Sequence, residues 1–405
     1  MIYLYFYGGY INMNRIRLNL FLLLITSLLS IGTLAKSTET KEWTFLLFLN
    51  GHNNLSPFGD TNLKDMEKSG STDQVNLVVE WAKADSDMTN RLLIQKSTDS
   101  TKVTSPILMS LKDHDMGDYK NFVDFVKWGV DNFPAKHYFV AVWNHGSGWH
   151  LQSSDQMRIS DISYDDVTGN SISTEQLGLA MTEIKQYIGR NVDIYGSDAC
   201  LMQMLEVVTE MKHSVDYVVG SEETEPGEGW PYENFMKKWT NAPQSTPAEV
   251  AVLLSKEYLS AYSGGTYGTI DVTFSALDLS KLDSVIESSA AIANFIKTLD
   301  APSIAKVRKA LRSVQSYFFS DYKDFGDLMK IFESLRINKD NNLFAKAQAD
   351  VNSLVLTVDS SDEYKRSTGV SVWVPSYSSS YMSRYKGLEF DKQTGWSQIL
   401  ELLPE

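Results

Sequence analysis

The chain has 405 residues, 43% of them hydrophobic and 12% aromatic, which is enough to bury a large core. Its formal charge of −14 argues against nucleic acid and anionic membrane surfaces as partners. One cysteine excludes a disulfide framework within the chain.

At the N-terminus, residues 14–35 (NRIRLNLFLLLITSLLSIGTLA) join Arg15 and Arg17 to an apolar run that ends in Thr33, Leu34 and Ala35. A basic start, an apolar centre and small residues at the end form an export signal, so residues 1–35 read as a signal peptide, with Met13 a candidate true start. The apolar stretch is short for a stable membrane anchor. No second cysteine stands at the cleavage site to carry a lipid, so the expectation is a soluble exported bacterial protein, periplasmic or secreted. Cleavage would remove two arginines and no acids, leaving the mature chain still more acidic.

Apolar runs at 43–49, 75–81, 91–95, 138–143, 192–196 and 217–220 predict strands, several of them apolar on both faces. Such strands belong to a sheet covered on both sides, which is usually parallel. Helical spacing appears at 118–132, 174–188, 201–212 and 247–260. The last opens with Thr246, Pro247 and Glu249, a capping box with proline in the first turn. The alternation predicts an α/β fold, a three-layer α/β/α sandwich around a mostly parallel central sheet. The polar stretch 97–105 (STDSTKVTS) reads as a loop or edge hairpin. From about 278 the texture turns helical, at 279–298, 303–319, 324–335 and 342–356. A strand at 369–376 (GVSVWVPS), expected to return to the main sheet, and a last helix in TGWSQILELL follow. The expected organisation is a core over 36–277 and a helical C-terminal addition over 278–405, closed by that strand.

Cys200 lies where strand alternation over 192–195 gives way to helical spacing at Leu201, Met204, Leu205 and Val208. A thiol at a helix N-terminus is shifted toward the thiolate, although a lone cysteine can also be an inert buried hydrophobe. Of the six histidines, His145 directly follows the strand 138–143, in WNHGSGWH. Sites in open parallel sheets form beyond the carboxyl ends of strands, so His145 and Cys200 can face one crevice. The N–H groups of Gly146 and Cys200 are candidate oxyanion donors. His52, in LNGHNNLS, also follows a strand, and is either the competing base or part of the cleft lining. His114, His150 and His213 lack a strand-end setting, and His137 opens its strand. No Cys/His pair has ligand spacing and no HExxH occurs, which leaves no metal motif. A glycosidase using carboxylates alone would need a residue pair that nothing singles out. A thiol, an imidazole and two amides point to acyl transfer.

The segments VWNHGSGW, DIYGSDACLMQMLEVV and YVVGSEETEPGEGWPY resemble the clostripain family of cysteine peptidases, related in fold to caspases, gingipains, legumain and separase. The similarity runs from about residue 43 to the end, with His-Gly and Asp-Ala-Cys about 55 residues apart. The resemblance implies a caspase-like fold, His145 as catalytic histidine, Cys200 as nucleophile, and cleavage of proteins or peptides after Arg or Lys. Asp198 would form the floor of the specificity pocket, unless it only stabilises its turn. Glu228 would be a second wall, with Glu222, Glu223 and Glu225 close enough to compete. No cofactor is implied. The acids of 163–174 (SYDDVTGNSIST) leave calcium open without an EF-hand spacing. The polar linker 150–174 resembles those cut on activation, and Arg158 is its only basic residue. Cleavage of the Arg158–Ile159 bond, by the enzyme itself or a neighbour, would uncover the pocket and leave a monomer of two associated chains. The alternative is an inactive envelope binding protein on the same fold, which would need none of His145, Cys200 and Asp198.

Overall fold

A computed structural model describes residues 40–149, 161–338, 342–375 and 382–403, and the backbone alone of 152–154 and 157–159. The signal peptide, His150 and the side chains of Arg158 and Ile159 lie outside the described residues. The apolar runs form β1 (Lys41–Gly51), β2 (Val75–Lys83), β3 (Met88–Leu93) and, after an exposed edge strand β4 (Ile107–Lys112) that no run announces, β5 (Ala135–Trp143). A short hairpin of β6 (Gln152–Ser154) and β7 (Met157–Ile159) precedes β8 (Val192–Asp198) and β9 (Val215–Gly220). Later come β10 (Ser263–Gly265), β11 (Gly268–Thr269), β12 (Thr273–Asp278), β13 (Tyr322–Asp324), β14 (Val355–Ser360) and β15 (Ser371–Trp373).

The main sheet has nine strands in the order β14-β12-β9-β8-β5-β1-β2-β3-β4. Its centre, from β9 to β2, is parallel, and antiparallel strands close both edges. Phe45, Leu47 and Leu49 of β1 join one buried cluster, while Leu46 and Phe48 join the other. Each such side chain contributes about 1.5–3 kcal/mol by leaving water. Helices α1 (Ser56–Glu67), α2 (Tyr119–Asn132), α3 (Thr174–Ile188), α4 (Leu205–Met211), α5 (Tyr232–Thr240) and α6 (Pro247–Tyr262) supply the outer layers. α1, α5 and α6 bury their apolar residues in the first cluster, and α2, α3 and α4 in the second. The sheet is thus covered on both faces, as its doubly apolar strands require. Helix α2 lies so close to β1 that a Cβ on Gly129 would come within 2.3 Å of Leu46 Cδ2. At the start of α6 the capping box closes, with Thr246 Oγ1 accepting from the Glu249 N–H at 3.3 Å and Glu249 Oε2 accepting from the Thr246 N–H at 2.8 Å.

In the last part of the chain, α7 (Leu282–Ile296), α8 (Ala301–Leu311), α9 (Phe325–Ser334) and α10 (Leu343–Leu354) bury their apolar sides in the same cluster as α2, α3 and α4. Here and at the cysteine turn the structure corrects four expectations. The strand that returns to the main sheet is β14, not the 369–376 segment; β15 pairs with β13 instead. Alternating Val355, Thr357 and Asp359 follow the end of α10 directly, so the helical pattern read over 342–356 runs into an edge strand. The segment read as 303–319 stops at Leu311, which frees Phe318 and Phe319 for a turn. Finally, the segment read as 201–212 becomes helical only at Leu205.

Candidate functional site

β9, β8, β5 and β1 are neighbours in the parallel centre of the sheet and end on one edge, where the register determines which side chains meet. Trp143 pairs with Asp198 across β5 and β8, and Leu49 pairs with Trp143 across β1 and β5. His145 and Cys200 each come two residues after the Trp143–Asp198 pair, so they leave adjacent strands at the same level. Adjacent strands lie about 4.8 Å apart. Both residues line one cleft of about 510 Å³, together with Leu55, Gly146, Asp198, Glu225, Phe318 and Phe319.

The turn that carries Cys200 is held under strain. Leu201 sits at φ +65°, a left-handed conformation that costs a residue with a side chain about 1 kcal/mol or more. Three contacts hold it: the Leu201 N–H donates to Glu223 O at 3.1 Å, the Ser371 N–H of β15 to Gln203 O at 3.0 Å, and the Trp373 N–H to Glu206 Oε1 at 2.9 Å. The late strand therefore braces the cysteine turn instead of extending the main sheet. Cys200 Sγ accepts from the Glu225 N–H at 3.2 Å. Burial pushes the Cys200 thiol above its ordinary value; that N–H opposes the shift, and the charges of Glu223 and Asp198 add to it. This corrects the expectation of a thiol activated by a helix N-terminus. The helix starts at Leu205, beyond the turn, and the Glu223 and Asp198 charges work against the thiolate.

His145 is half-buried, and its Nε2 donates to Oδ1 of exposed Asn54 at 2.7 Å. A neutral ring with Nε2–H presents Nδ1 as its acceptor. Burial holds this imidazole below its ordinary value, against the charge of Asp166. Among the described residues no hydrogen bond joins His145 to Cys200 Sγ. Gly146 makes the close approach possible, since a Cβ there would meet Cys200 O at 2.4 Å. Neither the Gly146 nor the Cys200 amide N–H has an acceptor in another described residue.

Behind the thiol lie two buried carboxyl groups. Asp198 Oδ2 accepts from Tyr232 OH at 2.7 Å and from the Trp230 N–H at 3.4 Å. Burial pushes Asp198 up to about 6, with Tyr232, Glu225 and Trp230 pulling it back. Both carboxyl oxygens of Glu225 are buried without a donor, and burial, then the Asp198 charge, raise it well above the carboxylate range. Two such groups side by side share a proton instead of both ionising. Glu228, the wall expected from the sequence, does not line the cleft; Glu225, three residues earlier in the same loop, takes that place.

His52 is not part of the site. Its Nδ1 meets Asp165 Oδ2 at 2.8 Å in a buried pair away from the cleft lining, which removes it as the competing base. His137 and His114 are likewise committed, to Asp193 at 2.7 Å and Glu80 at 3.1 Å. Two described acids of the linker take internal partners: Asp161 meets Arg384, and Asp165 accepts from Met116, Val167 and Thr168 N–H groups. Among the described residues no group of three or more His, Cys, Asp or Glu is placed to hold a metal ion. None of residues 161–174 lines the cleft, so this part of the linker does not cover the pocket. No described helix is long and apolar enough to cross a membrane.

The model of the clostripain family matches residues 47–402. The chain is 24% identical over 320 residues to clostripain of Hathewaya histolytica, an alignment covering 67% of this chain and only 59% of that relative. Among solved structures it is similar to a secreted C11 cysteine protease of Bacteroides thetaiotaomicron in complex with an irreversible peptide inhibitor, at a TM-score of 0.68 and 21% identity, over 88% of this chain and 99% of the other. It is similar too to an inactive zymogen C11 protease of Parabacteroides distasonis, at 0.65 and 16%, over 88% and 98%.

Proposed function

The chain belongs to the clostripain family of cysteine peptidases, and from that premise we propose that it hydrolyses peptide bonds after Arg or Lys, through Cys200 and His145. The carrying observation is the Trp143–Asp198 register, which sets both residues over one cleft with a buried acid pair behind the thiol. Cys200 Sγ attacks the scissile carbonyl carbon, and the thiol proton passes to His145 Nδ1. The carbonyl π electrons move to oxygen, where the Gly146 and Cys200 N–H groups stabilise the charge. The C–N bond then breaks as His145 returns its proton to the leaving amine, and water hydrolyses the thioester. Asn54 is a positioning residue that keeps the imidazole in the tautomer with Nδ1 free. The cation of Arg or Lys pairs with Asp198 and Glu225, while Leu55, Phe318 and Phe319 offer an apolar wall to a neighbouring side chain.

An acyloxymethyl ketone carrying Arg or Lys is expected to add once per chain, at Cys200, and to do so far faster than its Leu counterpart. Peptide mapping of the adduct checks this. A chain that takes no adduct, or takes both reagents equally, removes the reading.

Activation is proposed at Arg158–Ile159, within the β6–β7 hairpin, where Ser153 faces Arg158. Because the described linker beyond residue 160 is packed away from the cleft, cleavage has to act through the hairpin itself. The purified protein should run as two fragments with Ile159 at the new N-terminus. Cys200→Ala should remain one chain, and Arg158→Ala should remain one chain with activity reduced about tenfold or more, as expected when the competent state is thinly populated. Full activity in an intact chain, untouched by Arg158→Ala, overturns the processing scheme. Export through residues 1–35 is part of the same proposal and places the enzyme outside the cytoplasm.

A further inference from the structure

The segment from Ser316 to Lys323 has two working faces. Phe318 and Phe319 line the cleft of Cys200 and His145. Ser316, Ser320 and Lys323 line a second cavity of about 350 Å³, together with Arg308 and Arg312 of the region around the end of α8. The segment folds back on itself, with Tyr317 N–H donating to Tyr322 O at 3.3 Å and Tyr322 N–H to Phe319 O at 2.9 Å. An isolated bridge pairs Ser316 with Lys323, which brings both to the same end of this turn.

Lys323 is the unusual member. It is only 7% exposed, and among the described residues its Nζ has neither a hydrogen-bond acceptor nor a carboxylate at ion-pair distance. A buried cation without a counter-ion is costly, and charged side chains are rarely buried unless paired. Burial pushes the Lys323 ammonium below its ordinary range, and only the Asp321 charge opposes this. Asp321 is already engaged, accepting from Trp373 Nε1 at 2.7 Å. Arg308 commits Nε and Nη2 to Leu402 O, at 3.2 and 2.7 Å, which fixes its guanidinium on the cavity wall. The wall therefore carries two guanidinium groups, two hydroxyl donors, and an amine on a buried stem that has no counter-ion at ion-pair distance among the described residues.

We infer that this cavity binds a small oxyanion of the phosphate class, with Lys323 as its central ligand and Arg308, Arg312, Ser316 and Ser320 around it. A tetrahedral anion offers acceptors on every side, which suits ammonium, guanidinium and hydroxyl donors converging from different elements better than a planar carboxylate does. The bound anion supplies the counter-charge that Lys323 lacks and ties the Ser316–Lys323 turn to the end of α8. The site is thus set behind the apolar wall of the cleft, and its occupancy does not depend on the peptidase reading.

Calorimetry of the full-length protein with inorganic phosphate tests it, with glutarate as the carboxylate arm. Saturable binding of one phosphate per chain, tighter than glutarate, is expected. Lys323→Gln should weaken it at least about tenfold, as loss of one member of a buried charge contact does, with the circular dichroism spectrum unchanged. On wild-type protein, hydrogen exchange over residues 316–323 should slow when phosphate is added. The inference is overturned if phosphate gives no saturable binding, if glutarate binds as tightly, or if Lys323→Gln binds phosphate as well as wild type. Should Lys323→Gln fail to fold, the wild-type exchange experiment decides: unchanged exchange at saturating phosphate overturns the inference.

Discussion

Cys200→Ala is expected to lower hydrolysis of Arg- and Lys-containing amide substrates by about 10⁴-fold or more, because it removes the chain's one thiol, the strongest nucleophile lining the cleft. The fold should survive. Removing one sulfur leaves a small void at a half-buried position, worth about 1 kcal/mol. The Glu225 N–H that met the sulfur then faces the open cleft, where water can take its place. His145→Ala belongs in the same assay and should also fail, but for a different reason. It leaves the thiol in place without a proton acceptor, so a small alkylating agent still reacts at Cys200 while amide hydrolysis does not proceed. Turnover of Cys200→Ala above a few per cent of wild type would exclude the thiol as nucleophile. A dead His145→Ala that also resists alkylation would mean that the substitution had collapsed the site.

How much of this was legible beforehand follows from how each feature is encoded. The central strands announce themselves because burial on both faces demands continuous apolar runs such as WTFLLFL, and the strand-end rule then picks out His145 and Cys200 from local sequence alone. The same rule would have reached Asn54, which lies in the polar run after β1, but nothing local says that its amide meets an imidazole 91 positions away. Glu225 was hidden for another reason. Four acids crowd the loop after β9; Glu222 and Glu223 are buried too, and that Glu225 is the one lining the cleft follows from the loop's path, not from spacing. Periodicity misled at the cysteine as well. Leu201, Met204, Leu205 and Val208 have helical spacing, yet the turn around left-handed Leu201 is held by partners from the loop after β9 and from β15 that are remote in sequence. The return of β14 instead of β15 was invisible because the helical spacing read over 342–356 runs into β14, and pairing choice is tertiary.

Asp198→Asn separates the two consequences of the acid pair, since it should damage specificity and improve stability at once. A guanidinium or ammonium that enters the pocket pairs with the ionised carboxylates, and losing one of them should lower kcat/KM for Arg and Lys substrates about 10²- to 10³-fold. Reaction of Cys200 with a small uncharged alkylating agent should change far less. The stability effect has the opposite direction. Asp198 is raised from 3.8 to about 6 in the folded protein, so the folded state resists its ionisation. The stability associated with the protonated form is fully present below about pH 4 and is lost as pH rises through about 6. Asparagine cannot ionise and escapes that loss. Asp198→Asn should therefore be more stable than wild type at pH 8 by an amount on the order of 3 kcal/mol, and match it at pH 4. The substrate limb follows from the same proton: binding of a basic side chain expels it, so kcat/KM for Arg substrates should climb as pH rises through about 6 in wild type and flatten in Asp198→Asn. Equal losses toward the Arg substrate and the uncharged reagent, together with lower stability at both pH values, would instead make Asp198 a brace for its turn and leave the pocket's preference to Glu225.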